Sequence, residues 1–357
     1  MHPWFHPLQR TALAGLLVTA APMPAFACAS CGCSLSTDAA MSYAARAGWR
    51  LSLQYDAINQ NELRTGSHAA SPAQVVNEPT TGELEHQTVN RYVTLGLAYS
   101  PNTDWSFSLL VPYIDRSHSS YTDQTSAPFD NAQLAPSHLS TAQVSGLGDI
   151  KFITAWQALL PTHNLGLQLG VKLPTGDYGG ANAAGTAAIG RHPAAFDSGP
   201  TSLAPSPGNL LDTSLQAGTG STDLIIGGFY YQAVSQDFDA FVNAQFQAAL
   251  THRLDQAGQD YRPGNLTTMS FGLRDEANPD VVPQLQVNLS RKSADQGALA
   301  DTLDTAGTIA YLSPGLSLRV AKGAELYGFI QRPVYSRLDG YQLLPHWTAT
   351  AGLSYVF

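Results

Sequence analysis

Trp49-Arg-Leu-Ser-Leu-Gln-Tyr-Asp56 decides how the chain is read. Trp49, Leu51, Leu53 and Tyr55 fall on one side of an extended backbone and Arg50, Ser52, Gln54 and Asp56 on the other, because successive side chains of a strand point to opposite faces. The pattern predicts a β-strand with one apolar and one polar face. Val93 to Tyr99 repeats it, then Trp105 to Tyr113, Ile150 to Trp156, Leu165 to Leu173, Leu224 to Tyr230 and Phe238 to Phe246. Thr267 to Leu273, Val281 to Leu289, Ile309 to Val320, Glu325 to Tyr335 and Trp347 to Phe357 complete twelve runs. Runs of about ten residues are the length at which a tilted strand crosses a bilayer.

The connections alternate in length. Short turns lie at Pro101–Asp104, Leu160–Asn164, Val234–Asp237, Asp275–Pro279 and Ala321–Gly323; longer ones run from Ala57 to His86, Ser117 to Ser145, Asp177 to Ser221, His252 to Asn265, Lys292 to Gly307 and Ser336 to Pro345. An even strand count with this alternation predicts a transmembrane antiparallel β-barrel of about 12 strands, with short periplasmic turns and long outer loops. Trp49, Trp105 and Trp156 then fall at periplasmic strand ends and Trp347 at an outer end, the headgroup levels that Trp prefers. A secreted sandwich also alternates apolar and polar residues, but run length, loop asymmetry and Trp placement all favour the barrel.

Composition agrees. The 357 residues are 44% apolar and only 13% charged, against roughly 25% charged in an ordinary soluble domain. Three cysteines exclude a disulfide scaffold, and a formal charge of −9 argues against a nucleic-acid partner. No stretch after the N-terminus approaches the ~20 apolar residues of a membrane helix.

Residues 1–27 carry one charge, Arg10, then the apolar run Thr11–Ala20 and Ala25-Phe26-Ala27, the layout of a secretory signal peptide. Residues 28–48 form a periplasmic segment and 49–357 the barrel, which places the protein in the outer membrane of a Gram-negative bacterium. Cys28, Cys31 and Cys33 follow the cleavage point. Gly32 stands where a c-type haem site needs His, so haem attachment is disfavoured. Several readings stay open: a Cys28–Cys31 disulfide, inert thiols, a soft-metal site for an ion such as copper, or lipidation of Cys28.

The polar face supplies the candidate pore-lining residues Arg50, Gln54, Asp56, Asn90, Asp149, Lys151, Gln168, Lys172, Asp223, Asn243, Gln245, Arg274, Gln286 and Arg319. Twelve strands fall between barrels filled by side chains and those that leave an open channel, so the expectation is a narrow or loop-gated path. The Asp177–Ser221 connection, with Arg191 and His192 at its centre, either folds inward as a constriction or stays in solvent. Pro112, Pro174 and Pro333 near outer strand ends are read as ending pairing at the rim, with a weakened seam as the sharper alternative. His138-Leu-Ser140 has a His-x-Ser spacing but lies in a loop, and no catalytic cluster is found.

Gly146-Leu-Gly-Asp-Ile-Lys-Phe152, Trp156 and Gly170-Val-Lys-Leu-Pro-Thr-Gly-Asp-Tyr178 resemble the bacterial outer-membrane transporter family named after the meta pathway of phenol degradation. The resemblance implies a porin-like barrel that passes small, aromatic or hydrophobic solutes, without catalytic chemistry. It transfers no binding residues, and the cysteine segment is not part of its pattern. The expected partners are outer-membrane lipid and a small-molecule solute. The alternative is a non-conducting scaffold whose cysteine-rich tail binds a soft metal or docks a periplasmic protein.

Overall fold

The computed structural model describes residues 47–75, 84–121, 134–182, 184–201 and 205–357. The main strands are β1 (Gly48–Gly66), β2 (Leu84–Ser100), β3 (Trp105–Tyr121), β4 (Leu139–Leu147), β5 (Ile150–Trp156) and β6 (Leu165–Leu173). They continue with β7 (Ser221–Ala233), β8 (Phe238–His252), β9 (Leu266–Asp275), β10 (Val281–Lys292), β11 (Gly307–Ala321) and β12 (Ala324–Val356). Chain neighbours pair antiparallel around the sheet, and β12 pairs with β1. Both β4 and β5 lie along β3, one above the other, and β5 also pairs with β6. The sheet therefore closes into a barrel through the β3–β5 pairing, and above that junction the outer side of β4 meets, among the described residues, only the short strand Phe196–Ser198.

Eleven strand elements close the ring. The last, β12, is 33 residues long and doubles back on itself: its first arm pairs with β11, its second with β1, and the Val356 amide donates to the Gly323 carbonyl at 2.8 Å. The wall is consequently crossed twelve times. The tip of this hairpin lies at Asp339-Gly340, where Gly340 has φ +51°, a left-handed turn that glycine adopts without a side-chain clash.

Outward positions carry the apolar belt. Leu53, Leu95, Leu169, Ile226, Leu285, Ile330 and Leu353 are all exposed there, and lipid covers such a surface in a membrane. The aromatics mark its lower edge: the Trp49 and Tyr99 ring centroids are 4.6 Å apart and those of Trp105 and Trp156 6.3 Å. Trp347 lies beside the Ile58↔Thr348 pair, nearer the opposite rim.

The strands run further than the apolar pattern does. The connections expected at Ala57–His86 and Ser117–Ser145 begin as ladder, since β1 reaches Gly66, β3 reaches Tyr121 and β4 starts at Leu139. The Ser336–Pro345 connection is wholly strand around its tip, with Pro345 accommodated where the β1 register shifts between Ile58 and Glu62. The hydrogen-bond ladder therefore continues past the last apolar position of the alternation.

The fourth crossing is broken. Leu110 pairs with Lys151 and Tyr113 with Leu147, so Gly148 and Asp149 bulge out of the ladder opposite Val111 and Pro112. Pro112 has no N–H to give, but its carbonyl accepts from the Gly148 amide at 2.8 Å. At Pro174 the strand β6 has just ended, and at Pro333 the β11 register shifts. The Thr175 hydroxyl closes the first interruption, accepting from the Ile150 amide at 2.9 Å and donating to the Gly148 carbonyl at 2.8 Å.

Candidate functional site

The barrel interior is built from the polar half of each strand. On β1 and β12, the Gln54 amide donates to Asp56 Oδ2 at 2.9 Å, Thr350 donates to Asp56 Oδ1 at 2.6 Å and the Tyr327 hydroxyl to Gln54 Oε1 at 2.9 Å. On β10 and β11, Gln284 donates to Ser317 at 2.9 Å, Gln286 to Gln284 at 3.4 Å, and Asn288 to Ser313 at 2.8 Å and to Gln331 at 3.1 Å. Gln245 donates to Gln168 at 2.9 Å across β7. These links satisfy most buried polar groups, yet Gln286 Oε1 and Asn288 Oδ1 are buried with no partner.

Towards the short-turn rim the inner wall becomes aromatic. The rings of Phe229 and Phe241 lie flat over Gly166 and Gly272 of the neighbouring strands, where a β-carbon would collide with them. Glycine here provides room for the ring.

The broken crossing turns Asp149 inward, and a compact ionic group forms around it. Asp149 accepts from Lys172 Nζ at 3.0 Å, the Gly176 amide at 3.1 Å, the Thr219 amide at 3.0 Å and the Thr219 hydroxyl at 2.9 Å. Lys172 also faces Asp223 at 3.2 Å and donates to Ser221 at 3.0 Å and to Thr219. Asp223 further accepts from Ser221 and Gln247, each at 2.6 Å. Gly176 and Thr219 are the two feet of the long connection between β6 and β7, so one carboxylate closes both ends of that loop.

The loop folds inward as a strap. Its Leu211, Leu215 and Ala217 are buried, with Phe196, against Ile114 of β3 and Ala142 and Val144 of β4. Asp212 caps a short turn at Thr213–Leu215 by accepting from the Ser214 amide at 2.7 Å. Gln216 then acts as a local ladder, donating to the Leu211 carbonyl at 2.9 Å and accepting from the Ala194 amide at 2.7 Å. Arg191 holds the strap foot, donating to Asp177 at 3.2 Å and to the carbonyls of Thr175 and Gly176. From the far side of the ring, the Leu299 carbonyl accepts from Thr213 Oγ1 at 3.4 Å. The strap thus touches both the β3–β4 wall and the loop joining β10 to β11.

Of the residues singled out by sequence, Gln54, Asp56, Asn90, Asp149, Gln168, Lys172, Asp223, Asn243, Arg274 and Gln286 are buried on the inner face. Arg50, Lys151 and Gln245 are half-buried on it. Arg274 donates to Glu276 at 2.8 Å beside the short-turn rim. Arg319 is different: its side chain is 51% exposed and bridges to Asp280 at 3.0 Å, tying two short turns together at the rim. Cys28, Cys31 and Cys33 lie outside the described residues, and among those described no three metal-binding side chains cluster. His138 ends a short helical turn and Ser140 donates to the Pro205 carbonyl at 2.5 Å.

Arg116 escaped the sequence reading. Apolar alternation in β3 ends at Tyr113, and the segment beyond was assigned to a loop from Ser117. Counting parity onward from Trp105 would have placed Arg116 inward, opposite Asn90 and Val144.

Among solved structures the chain is similar to an outer membrane channel from Pseudomonas putida F1, with 11% identity over 88% of this chain and 97% of that one and a TM-score of 0.59. The fold is that of an outer-membrane β-barrel. It is also similar to the CymD monoaromatic hydrocarbon channel, at 10% identity, 88% and 89% coverage and TM-score 0.44. The Ralstonia pickettii toluene transporter TbuX gives 12% identity, 88% and 90% coverage and TM-score 0.41. No family model matches the sequence, and no curated protein does.

Proposed function

We propose that the protein lies in the outer membrane and passes small aromatic or hydrophobic solutes passively through its barrel, as the resemblance to the phenol meta-pathway transporter family implies. The observation that carries this reading is the strap held across a polar lumen inside an apolar-belted barrel. A scaffold has no need of a constriction, whereas a channel uses one to select and to limit leak. The inner wall supplies dispersed neutral donors and acceptors above and aromatic rings below, a lining suited to a small molecule with an apolar body. No nucleotide or covalent step is required, since movement follows the concentration gradient.

Purified full-length protein in planar bilayers and in liposome-swelling assays tests this. Resolved conductance steps and faster entry of small aromatics than of sugars of equal mass are expected. Liposomes no more permeable than protein-free ones would overturn it.

A further inference from the structure

Arg116 is buried to 3% exposure on the inner face of β3. Its partners are all neutral. Nε donates to Asn90 Oδ1 at 2.5 Å, Nη2 to the Tyr92 hydroxyl at 3.1 Å, and Nη1 to the Leu215 carbonyl and, at 3.3 Å, to that of Gln216. No carboxylate among the described residues lies within 4.0 Å of it. Other buried cations differ: Lys172 faces two carboxylates, and Lys292 meets Asp295 at 2.7 Å. Burying a charge without an opposite charge is expensive, and such a group is retained where something else meets it.

We propose that Arg116 is the recognition point for the carboxylate of a small organic acid, and that the two strap carbonyls hold its place until that carboxylate arrives. The proposal rests on the channel reading and names a solute class for it. A guanidinium presents a planar fork that matches a carboxylate bidentately, and a carboxylate brings the full opposite charge that the two neutral carbonyls lack. The incoming group therefore outcompetes Leu215 and Gln216. Val144 stands opposite Arg116 in the ladder and belongs, with Ile114 and Leu215, to the apolar cluster under the strap, which fits a compact hydrocarbon body and disfavours a second charge. Because the displaced carbonyls belong to the strap, recognition frees that edge of it. Binding and opening become one event.

The test uses the full-length barrel in detergent, with benzoate and benzyl alcohol as probes of similar size and different charge. Calorimetry is expected to show benzoate binding about tenfold tighter than the alcohol, with faster hydrogen exchange at 211–217 on adding benzoate. Arg116→Met abolishes the preference, and Arg116→Lys, which keeps charge but loses the fork, retains part of it. Equal binding of the two probes to the unaltered protein overturns the proposal even if neither variant folds. A preference unchanged in Arg116→Met overturns it too. Liposome flux separates this from the channel reading: an Arg116-dependent preference without flux removes the channel and keeps the site, and flux without preference does the reverse.

Discussion

The two sides of the lumen bury polar atoms in opposite ways. Beside the broken crossing, Asp149, Lys172 and Asp223 form an ionic group in which every carboxylate receives several donors, two of them backbone amides of the strap feet. Across the ring, β10 and β11 carry Gln284, Gln286, Asn288, Ser313 and Ser317, an uncharged series joined by neutral hydrogen bonds, in which Gln286 Oε1 and Asn288 Oδ1 are left without a partner. The ionic side specifies one geometry, because a misplaced charge in a dry site is costly. The neutral side tolerates rearrangement, because amide and hydroxyl groups exchange partners, with water among them, at little cost. On the proposed channel reading, the first kind of surface suits a constriction and the second a solute path.

The sharpest way to break this contrast is Lys172→Met, which leaves Asp149 and Asp223 facing each other without their cation. A loss of about 3–5 kcal/mol is expected, read as a lower melting temperature by circular dichroism. Asp149→Ala comes next. It deprives the Gly176 and Thr219 amides of their acceptor and costs about 3 kcal/mol. Because both strap feet are released together, single-channel conductance should rise while the barrel still runs as a folded species on unheated gels. A conductance identical to that of the unaltered protein would show that the strap is held elsewhere. On the neutral side, Gln286→Met is expected to move stability by less than about 1 kcal/mol, since its side-chain bond to Gln284 is long at 3.4 Å and its oxygen is unpaired among the described residues. If it cost as much as Lys172→Met, the two sides would not differ in kind.

How much of this was legible depends on which force shaped each residue. Lipid imposes apolar side chains at alternate positions, so the belt, the twelve crossings and the inward placement of Gln54, Asp149 or Lys172 could be read from parity alone. Beyond the apolar belt nothing enforces that code, which is why β1 from Ala57, the end of β3 from Ser117 and the tip of β12 read as connections, and why Arg116, between the last apolar position Tyr113 and Ser117, does not stand out. The strap is written in Gly, Ala, Pro and Ser, and its path is set by distant partners such as Asp149 and Leu299 that no local pattern reveals. Gly-Leu-Gly-Asp and Lys-Leu-Pro-Thr-Gly stood out as motifs. Their meaning is spatial, since Gly148, Asp149, Lys172, Thr175 and Gly176 all meet at the break in the wall.

Outside the membrane the same rules act more gently, and Asp304 gives the smallest effect. It sits in the loop between β10 and β11, where its Oδ1 accepts from the Tyr341 amide at 2.9 Å and lies against Gly340 at the β12 tip. Burial, with the nearby Asp301 and Asp339 adding to it, raises its pKa to about 6. A carboxyl that holds its proton more tightly when docked favours docking in acid. The contribution is complete below the ordinary carboxylate pKa and is lost as pH rises through about 6. Hydrogen exchange at 301–306 and 339–341, corrected for intrinsic rate, should therefore quicken modestly between pH 4 and 7. Asp304→Asn, which cannot ionise, should flatten that dependence while leaving the 211–217 strap unchanged. An equally steep profile in the variant would assign the titration to another group, and a strap that loosened with it would mean that the two loops move as one body.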